Sequence, residues 1–173
     1  MTAVARTIAA GPLDAASWAP FGWLPVPDTD PSDGSQRLHF EWADPHVNVI
    51  SHAADEVVHL EGGLLCERMY RHDTHTQALL ALDGPSVIAV APADVRFEGP
   101  GGPDEPALAA VRAFVLRPLD ALVLHRGTWH WGPFPLGEAP VHLYNVQGLG
   151  YRDDNASVDL TGLGLAIEVQ VPG

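Results

Sequence analysis

Residues 117–134 limit the possible folds more than any other part of the chain. A short apolar run, residues 121–124, ends in a turn that contains Gly127, which is typical of an antiparallel β fold. After this turn, His130 lies between two tryptophans. Because indole side chains bury a large apolar area and exclude water, we expect His130 to be locked in a core or to face a dry pocket.

The rest of the chain predicts further short strands separated by turns. The 17 glycines and 16 prolines favour turns over long helices. Asp83-Gly84 predicts a hairpin turn, and helical turns are expected at residues 13–18 and 107–112. Strands are expected at residues 37–42, 47–52, 64–71, 76–82, 86–91, 113–116, 119–124, 141–146 and 163–171. The pattern indicates an all-β protein, a double-sheet sandwich or barrel of the jelly-roll type included.

The length and composition describe one globular domain. A chain of 173 residues with 46% apolar and 18% charged residues is large enough for a core without disulfides. We expect a single domain over residues 1–173, with residues 1–35 as an N-terminal arm and loop that packs on the barrel. The start lacks the apolar region of a signal peptide, and no stretch approaches the ~18 apolar residues of a membrane span. We therefore expect a cytoplasmic protein.

The charge and the cysteine count exclude several kinds of partner and bond. Nine basic against 22 acidic residues give 9 − 22 = −13, which opposes binding to nucleic acid or to an anionic membrane. A small-molecule substrate is compatible with this charge, since a metal ion or an arginine reverses it locally. Cys66 is the only cysteine, so no intramolecular disulfide forms, and we expect it to be buried.

The stretch that holds His130 resembles the second signature of the cupin family. Asp120 and Gly127 take the places of the signature's Asp and Gly, and His130 takes the place of its metal-binding His. Leu119 and His125 depart from the Gly and Pro of the signature. The match is partial, but a second cluster upstream supports it.

The upstream cluster resembles the first cupin signature. Counted back from Gly84, Gln77 takes the position of the signature's Glu and His72 that of its second His. Tyr70 takes the position of the first His, and His75 is an additional imidazole in the same turn. Together the two clusters imply a cupin-type double-stranded β-helix, a jelly-roll barrel with little helix.

The residue types of both clusters suit a metal site. Divalent transition metals prefer imidazole nitrogen, with carboxylate or amide oxygen completing the shell. Strand pairing would bring the two clusters together, so we expect a site on His72, His75 and His130, with Gln77 as a weaker fourth ligand. Nickel, manganese and iron are the candidate ions. The alternative is that these groups hydrogen-bond to one another and hold no metal.

Within the cupins, three blocks resemble the ureidoglycolate lyases. They are Arg71-His72 with Gln77-Ala78, Pro106 with residues 111–114, and residues 127–130. The resemblance covers roughly residues 64–150. It implies a homodimer of purine catabolism (allantoin degradation) that releases urea from ureidoglycolate to give glyoxylate, often with nickel or another divalent ion.

Carried onto this chain, the resemblance assigns roles to residues. Cleavage of a carbinolamide needs a base for the hydroxyl proton and an acid for the departing nitrogen. His72 and His130, with Gln77, would hold the metal or the substrate, and His75 is the candidate base, so the three histidines are the catalytic candidates. The substrate-binding candidates are Tyr70, Gln77, Trp129, Trp131, His142 and Tyr144.

The chain departs from the family at expected anchors of the substrate carboxylate. Family members carry Asn-Arg and Asp-Arg where this chain reads roughly Ser51-His52 and Val146-Gln147, and Tyr70 replaces a Glu. A related, less anionic substrate is therefore an alternative. Two further alternatives are a non-catalytic metabolite-binding cupin and a metal-dependent cupin oxygenase or isomerase.

Overall fold

The computed structural model describes residues 4–25, 44–99, 102–103 and 105–171. The strand expected at residues 37–42 lies outside them. The strands are β1 Val4–Pro12, β2 Gly22–Trp23, β3 Pro45–His52, β4 Val58–Leu60, β5 Gly63–Cys66, β6 Arg68–Arg71, β7 Gln77–Ala81, β8 Ser86–Ala91, β9 Glu98–Gly99, β10 Gly102–Pro103, β11 Arg112–Leu116, β12 Ala121–Leu124, β13 Trp129–Pro135, β14 Val141–Gly148, β15 Ala156–Asp159 and β16 Leu165–Gln170. The helix α1 spans Ala15–Trp18, and 3₁₀ turns span Ala54–Glu56 and Glu105–Ala110.

Two sheets dominate the described residues. One has nine strands in the order β15-β6-β13-β8-β11-β1-β16-β5-β4, and the other has five in the order β2-β12-β7-β14-β3. Only Glu67 separates β5 from β6, although these strands lie near opposite ends of the nine-stranded order. The larger sheet must therefore curl around. This all-β architecture is a cupin-type double-stranded β-helix, which confirms the predicted fold class.

The curled sheet separates two apolar cores, and β8 contributes to both. Ile88 and Val90 face the five-stranded sheet, where they pack in a cluster with Leu122 and Leu143; we call this cluster the inter-sheet core. The alternate residues of β8, such as Ala89, pack in a second cluster inside the curl. Since successive side chains of a strand point to opposite faces, a strand buried on both faces reads as continuously apolar.

Several sequence expectations are wrong in detail. Asp83-Gly84 does not make a hairpin, because β7 pairs with β12 and β14 whereas β8 pairs with β11 and β13. The turn instead carries the chain from one sheet to the other. Residues 64–71 form two strands rather than one, since the chain passes between distant strands at Glu67.

The N-terminal residues differ from the expected arm. Residues 4–12 form β1, which pairs in parallel with both β16 and β11. Their Ala-rich sequence carries no strong strand pattern, and the pairing depends on partners more than 100 residues away. In the described ranges no helix is long and apolar enough to cross a membrane.

Candidate active site

The two predicted clusters meet at one end of the inter-sheet core. β6 ends at Arg71, and the loop that follows carries His72 and His75 before β7 begins at Gln77. His130 lies on β13 and faces the same space. The ring centroids of His72 and His75 are 4.5 Å apart and nearly stacked, and those of His72 and His130 are 5.3 Å apart. Residues distant in sequence thus place three imidazoles together.

These side chains line a small cavity, with about 150 Å³ of free space between atoms. Its lining is His72, His75, Gln77, Leu124, His125, Thr128 and His130. The space is too narrow for a water molecule, so a larger ligand enters only when lining groups move. No Lys or Arg is among these lining residues, so they offer no permanent positive charge.

Asp154, which sequence reasoning missed, holds the loop of the upstream cluster. Its Oδ1 accepts a hydrogen bond from the backbone N–H of Asp73 at 2.8 Å. Its Oδ2 accepts bonds from the N–H of Thr74 at 2.8 Å and from the Thr74 hydroxyl at 2.6 Å. The same Oδ2 lies 3.1 Å from Nδ1 of His75. No local pattern marks this residue, because its partners lie about 80 positions earlier.

Hydrogen bonds at Nδ1 define the tautomers of the histidines. Nδ1 of His72 lies 2.5 Å from the backbone carbonyl of Asp154, and Nδ1 of His130 lies 3.2 Å from that of Thr128. Since a carbonyl oxygen only accepts, each Nδ1 carries the hydrogen, and in the neutral ring Nε2 bears the lone pair. Metal-binding histidines are commonly oriented in this way, with the second nitrogen bonded to a carbonyl or carboxylate.

Burial keeps two of the imidazoles neutral. Burial, followed by the effect of the nearby His72, lowers the pKa of His130 to about 3. Burial also lowers the pKa of His75, followed by the effect of His72, and these outweigh the opposite influence of Asp154. Burial raises the pKa of Asp154, but the hydrogen bonds from Thr74 and Asp73 outweigh it and the net pKa is lowered. Near neutral pH, His75 and His130 are therefore uncharged beside the carboxylate of Asp154.

A chain of amides holds Gln77 from the other side. Nε2 of Gln77 donates to Oδ1 of Asn145 at 2.9 Å, and Nδ2 of Asn145 donates to Oδ1 of Asn48 at 2.7 Å. Oε1 of Gln77 is buried and makes no hydrogen bond within the described residues. Sequence reasoning missed both asparagines. Alternation along β14 was the available signal, since Asn145 lies on the same face as the buried Leu143.

Comparison with known proteins identifies the family. Among solved structures, a dTDP sugar isomerase from Desulfovibrio desulfuricans superposes with a TM-score of 0.46 at 14% identity, covering 73% of this chain and 69% of that chain. Ureidoglycolate lyases from Pseudomonas fluorescens Pf-5 and Pseudomonas paraeruginosa PA7 are 32% and 31% identical to this chain. Each alignment covers 92% of this chain, and 87% and 86% of the relatives. A family model described as Ureidoglycolate lyase matches residues 34–163. The chain belongs to the ureidoglycolate lyase family.

The donor set of this ureidoglycolate lyase family member fits a divalent ion. Ligand atoms of His72, His75 and Asp154 all lie within 4.8 Å of one another. The Asp154 carboxylate is the weakest of these as a ligand, because both of its oxygens already accept hydrogen bonds. Oε1 of Gln77 is a better oxygen ligand for a metal ion, since it is buried without a hydrogen bond in the described part of the chain. Imidazole nitrogen and a neutral amide oxygen suit a divalent transition metal ion.

Two predicted substrate-binding residues on β14 require correction. Alternation turns His142 and Tyr144 away from the inter-sheet core and onto the outer face of the five-stranded sheet. Tyr144 is 44% exposed, and Nδ1 of His142 lies 2.6 Å from Oδ2 of Asp83. Neither lines the cavity, because the inward positions of this strand belong to their neighbours.

The predicted aromatic residues around His130 also lie elsewhere. Trp129 and Trp131 alternate with His130, so both pack in the core inside the curl. Trp129 meets Phe97 edge to face at 5.5 Å. Tyr70 borders a separate groove, which Trp131 also lines. Of the predicted substrate-binding set, Gln77 is the one residue that lines the histidine cavity.

The positions of the missing family anchors are occupied by uncharged or paired groups. His52 lies 2.9 Å from Oε2 of Glu56, and its ring packs against Phe134. Gln147 is buried on the inward face of β14. Arg71, the nearest arginine in sequence to His72, pairs with Asp73 at 3.1 Å and lies over the ring of Trp129. These contacts hold Arg71 away from the cavity lining.

Proposed function

We propose that this protein is a carbon–nitrogen lyase that releases urea from ureidoglycolate and leaves glyoxylate. The observation that carries the proposal is the convergence of His72, His75 and His130 on one buried cavity, in a chain of this family. The non-catalytic binder and the oxygenase or isomerase are not favoured, because the family and its named relatives are lyases.

The reaction needs a proton acceptor at the substrate hydroxyl, and we assign this role to His75. Its pKa is lowered by burial, so its ring is neutral and able to take the proton. The adjacent Asp154 carboxylate, 3.1 Å from Nδ1, stabilises the imidazolium that forms. The same proton then passes to the departing urea nitrogen as the C–N bond breaks, and the hydroxyl oxygen becomes the aldehyde oxygen of glyoxylate.

The remaining groups bind and orient the substrate. A nickel, manganese or iron ion held by His72, His130 and Gln77 would supply the positive charge that the substrate carboxylate requires. The amide chain from Gln77 to Asn145 and Asn48 fixes the orientation of the Gln77 side chain. Because Nε2 of Gln77 bonds to Asn145, Oε1 points away from Asn145. Because the cavity is narrow, lining groups must move to admit the substrate.

The assembly, location and domain extent remain predictions of the same proposal. We propose a cytoplasmic homodimer of single-domain subunits, acting in purine catabolism on a small-molecule substrate. Exposed apolar residues on the outer face of the five-stranded sheet, among them Val47, Val49 and Tyr144, are compatible with a subunit contact. Light scattering on the purified protein tests the dimer.

The test of the proposed function is direct product analysis. Purified protein loaded with nickel or manganese is incubated with ureidoglycolate, and urea and glyoxylate are measured together. We expect equal amounts of both products, and loss of both in His72→Ala and His130→Ala. His142→Ala is the matched control, because this histidine lies on the outer face of the sheet. Absence of turnover in the loaded wild-type protein would contradict the proposal.

A further inference from the structure

The loop between β14 and β15 reaches back to the upstream histidine cluster through Asp154. The side chain of Asp154 bonds to the backbone of Asp73 and Thr74 and to the Thr74 hydroxyl. Its carboxylate also contacts Nδ1 of His75, and its backbone carbonyl contacts Nδ1 of His72. One residue therefore touches both stacked imidazoles and the turn that connects them.

The two contacts act on different atoms of Asp154. The carbonyl at 2.5 Å requires hydrogen on Nδ1 of His72, and this backbone contact persists as long as the loop keeps its position. The carboxylate at 3.1 Å favours hydrogen on Nδ1 of His75. This contact involves only the side chain of Asp154. Asp154→Asn removes only the side-chain charge, and Asp154→Ala removes the whole carboxylate group. The two variants should therefore have different effects on the tautomers of His72 and His75.

We propose that Asp154 is a positioning residue, which sets the ring orientation and the tautomer of His75 through its carboxylate and holds His72 through its backbone carbonyl. Its oxygens are filled by donors from the loop, so it acts through the histidines rather than on the substrate. The links to activity and to metal affinity rest on the proposed function, but the tautomers do not.

The primary test uses nitrogen-15 NMR of the histidine rings in the metal-free, full-length protein. We expect wild-type His72 and His75 to carry hydrogen on Nδ1. In Asp154→Asn, His75 should move toward the Nε2–H tautomer while His72 keeps its own. In Asp154→Ala, the loop loses all of its side-chain bonds, and both histidines should change. If Asp154 only held the loop in place, the tautomers of both histidines would change together in each variant. That result would overturn the proposal.

Nickel binding to the same proteins provides the second measurement. Loss of a partner that orients a ligand weakens metal affinity by about 10- to 100-fold. We expect this loss for Asp154→Ala, because release of the loop frees the ligand His72, whereas Asp154→Asn keeps the carbonyl contact to His72 and should bind nickel like the wild type. Asp153→Ala is the matched control, since this exposed neighbour lies on the same turn. An unchanged His75 tautomer in Asp154→Asn, or an unchanged nickel affinity in Asp154→Ala, would refute the proposal, whether or not the wild-type protein releases urea.

Thr74 provides a variant that leaves Asp154 in place. Thr74→Val removes the hydroxyl that donates to Oδ2 at 2.6 Å, whereas Thr74→Ser retains it. We expect Thr74→Val to shift the tautomer of His75 in the same direction as Asp154→Asn but by a smaller amount. Thr74→Ser should restore the wild-type tautomer population. Equal tautomer populations of His75 in the Val and Ser variants would contradict the proposal.

Discussion

The imidazole of His75 packs directly against the backbone of Gly148. A Cβ atom built on Gly148 would lie 3.0 Å from Cγ of His75 and 3.1 Å from its Nδ1. Contacts this short force the ring to move, and overpacking of this kind costs about 1–3 kcal/mol. The absence of a side chain at position 148 is therefore part of the site.

Gly148→Ala should displace His75 and reduce both stability and urea release. Gly150→Ala is the matched control, because a Cβ there meets nothing within 4 Å among the described residues. Denaturant unfolding and product release measured on both variants test this. Equal stability and equal product release of the two variants would show that the His75 ring shifts without affecting folding or activity.

His75→Gln separates the role of base from that of metal ligand. Glutamine cannot take up the substrate proton, so we expect turnover to fall by about 10²- to 10⁴-fold. The protein should still bind one nickel ion per chain, because His72, His130 and Gln77 remain. Turnover and nickel stoichiometry are measured on the same sample, with His142→Gln as the control. Loss of the nickel would identify His75 as a ligand.

Asn145→Ala should destabilise the protein through the amides that it connects. Asn145 is fully buried, and its removal leaves Gln77 and Asn48 without their partner. Each buried polar group left unsatisfied costs about 1–3 kcal/mol. The free energy of unfolding in urea measures this loss. Tyr144→Phe, at the exposed neighbouring position, should stay within about 0.5 kcal/mol of wild type.

Asp83→Asn should destabilise the protein in a pH-dependent way. The backbone N–H of His142 and then its ring lower the pKa of the Asp83 carboxyl below 3.8. A lowered folded-state pKa stabilises the protein above the unfolded value, and this contribution is lost as the pH falls through the folded value. The free energies of unfolding of the wild type and of Asp83→Asn should therefore differ near neutral pH and be equal in strong acid. A constant difference would exclude this linkage.

Cys66 should not react with thiol reagents in the folded protein. It is fully buried in the core inside the curl, and burial raises the pKa of its thiol far above the usual value. Because the thiolate is the reactive form, both access and ionisation protect it. Labelling with a thiol reagent should become rapid only on unfolding. Fast labelling of the native protein would contradict the buried position of Cys66.

The local pattern of the chain was sufficient for the all-β class, and the resemblance to the cupin signatures was needed for the centre of the site. Short apolar runs between turns predicted an all-β protein, and the two signatures implied that His72, Gln77 and His130 lie in two clusters that meet. The same local patterns misplaced His142 and Tyr144, because period-two alternation separates two faces without saying which of them is inside. The surrounding sheets decide that.

Pairing between distant strands decided the remainder. The Asp83-Gly84 turn has hairpin chemistry, yet it joins two different sheets, since each flanking strand finds better partners elsewhere. Asp154 and Asn48 reach their partners across 82 and 97 positions of sequence. The order of residues along the chain thus determined which side chains were available for the chemistry. Their orientation, tautomers and neutral charge arose only when burial and long-range contacts replaced water around them.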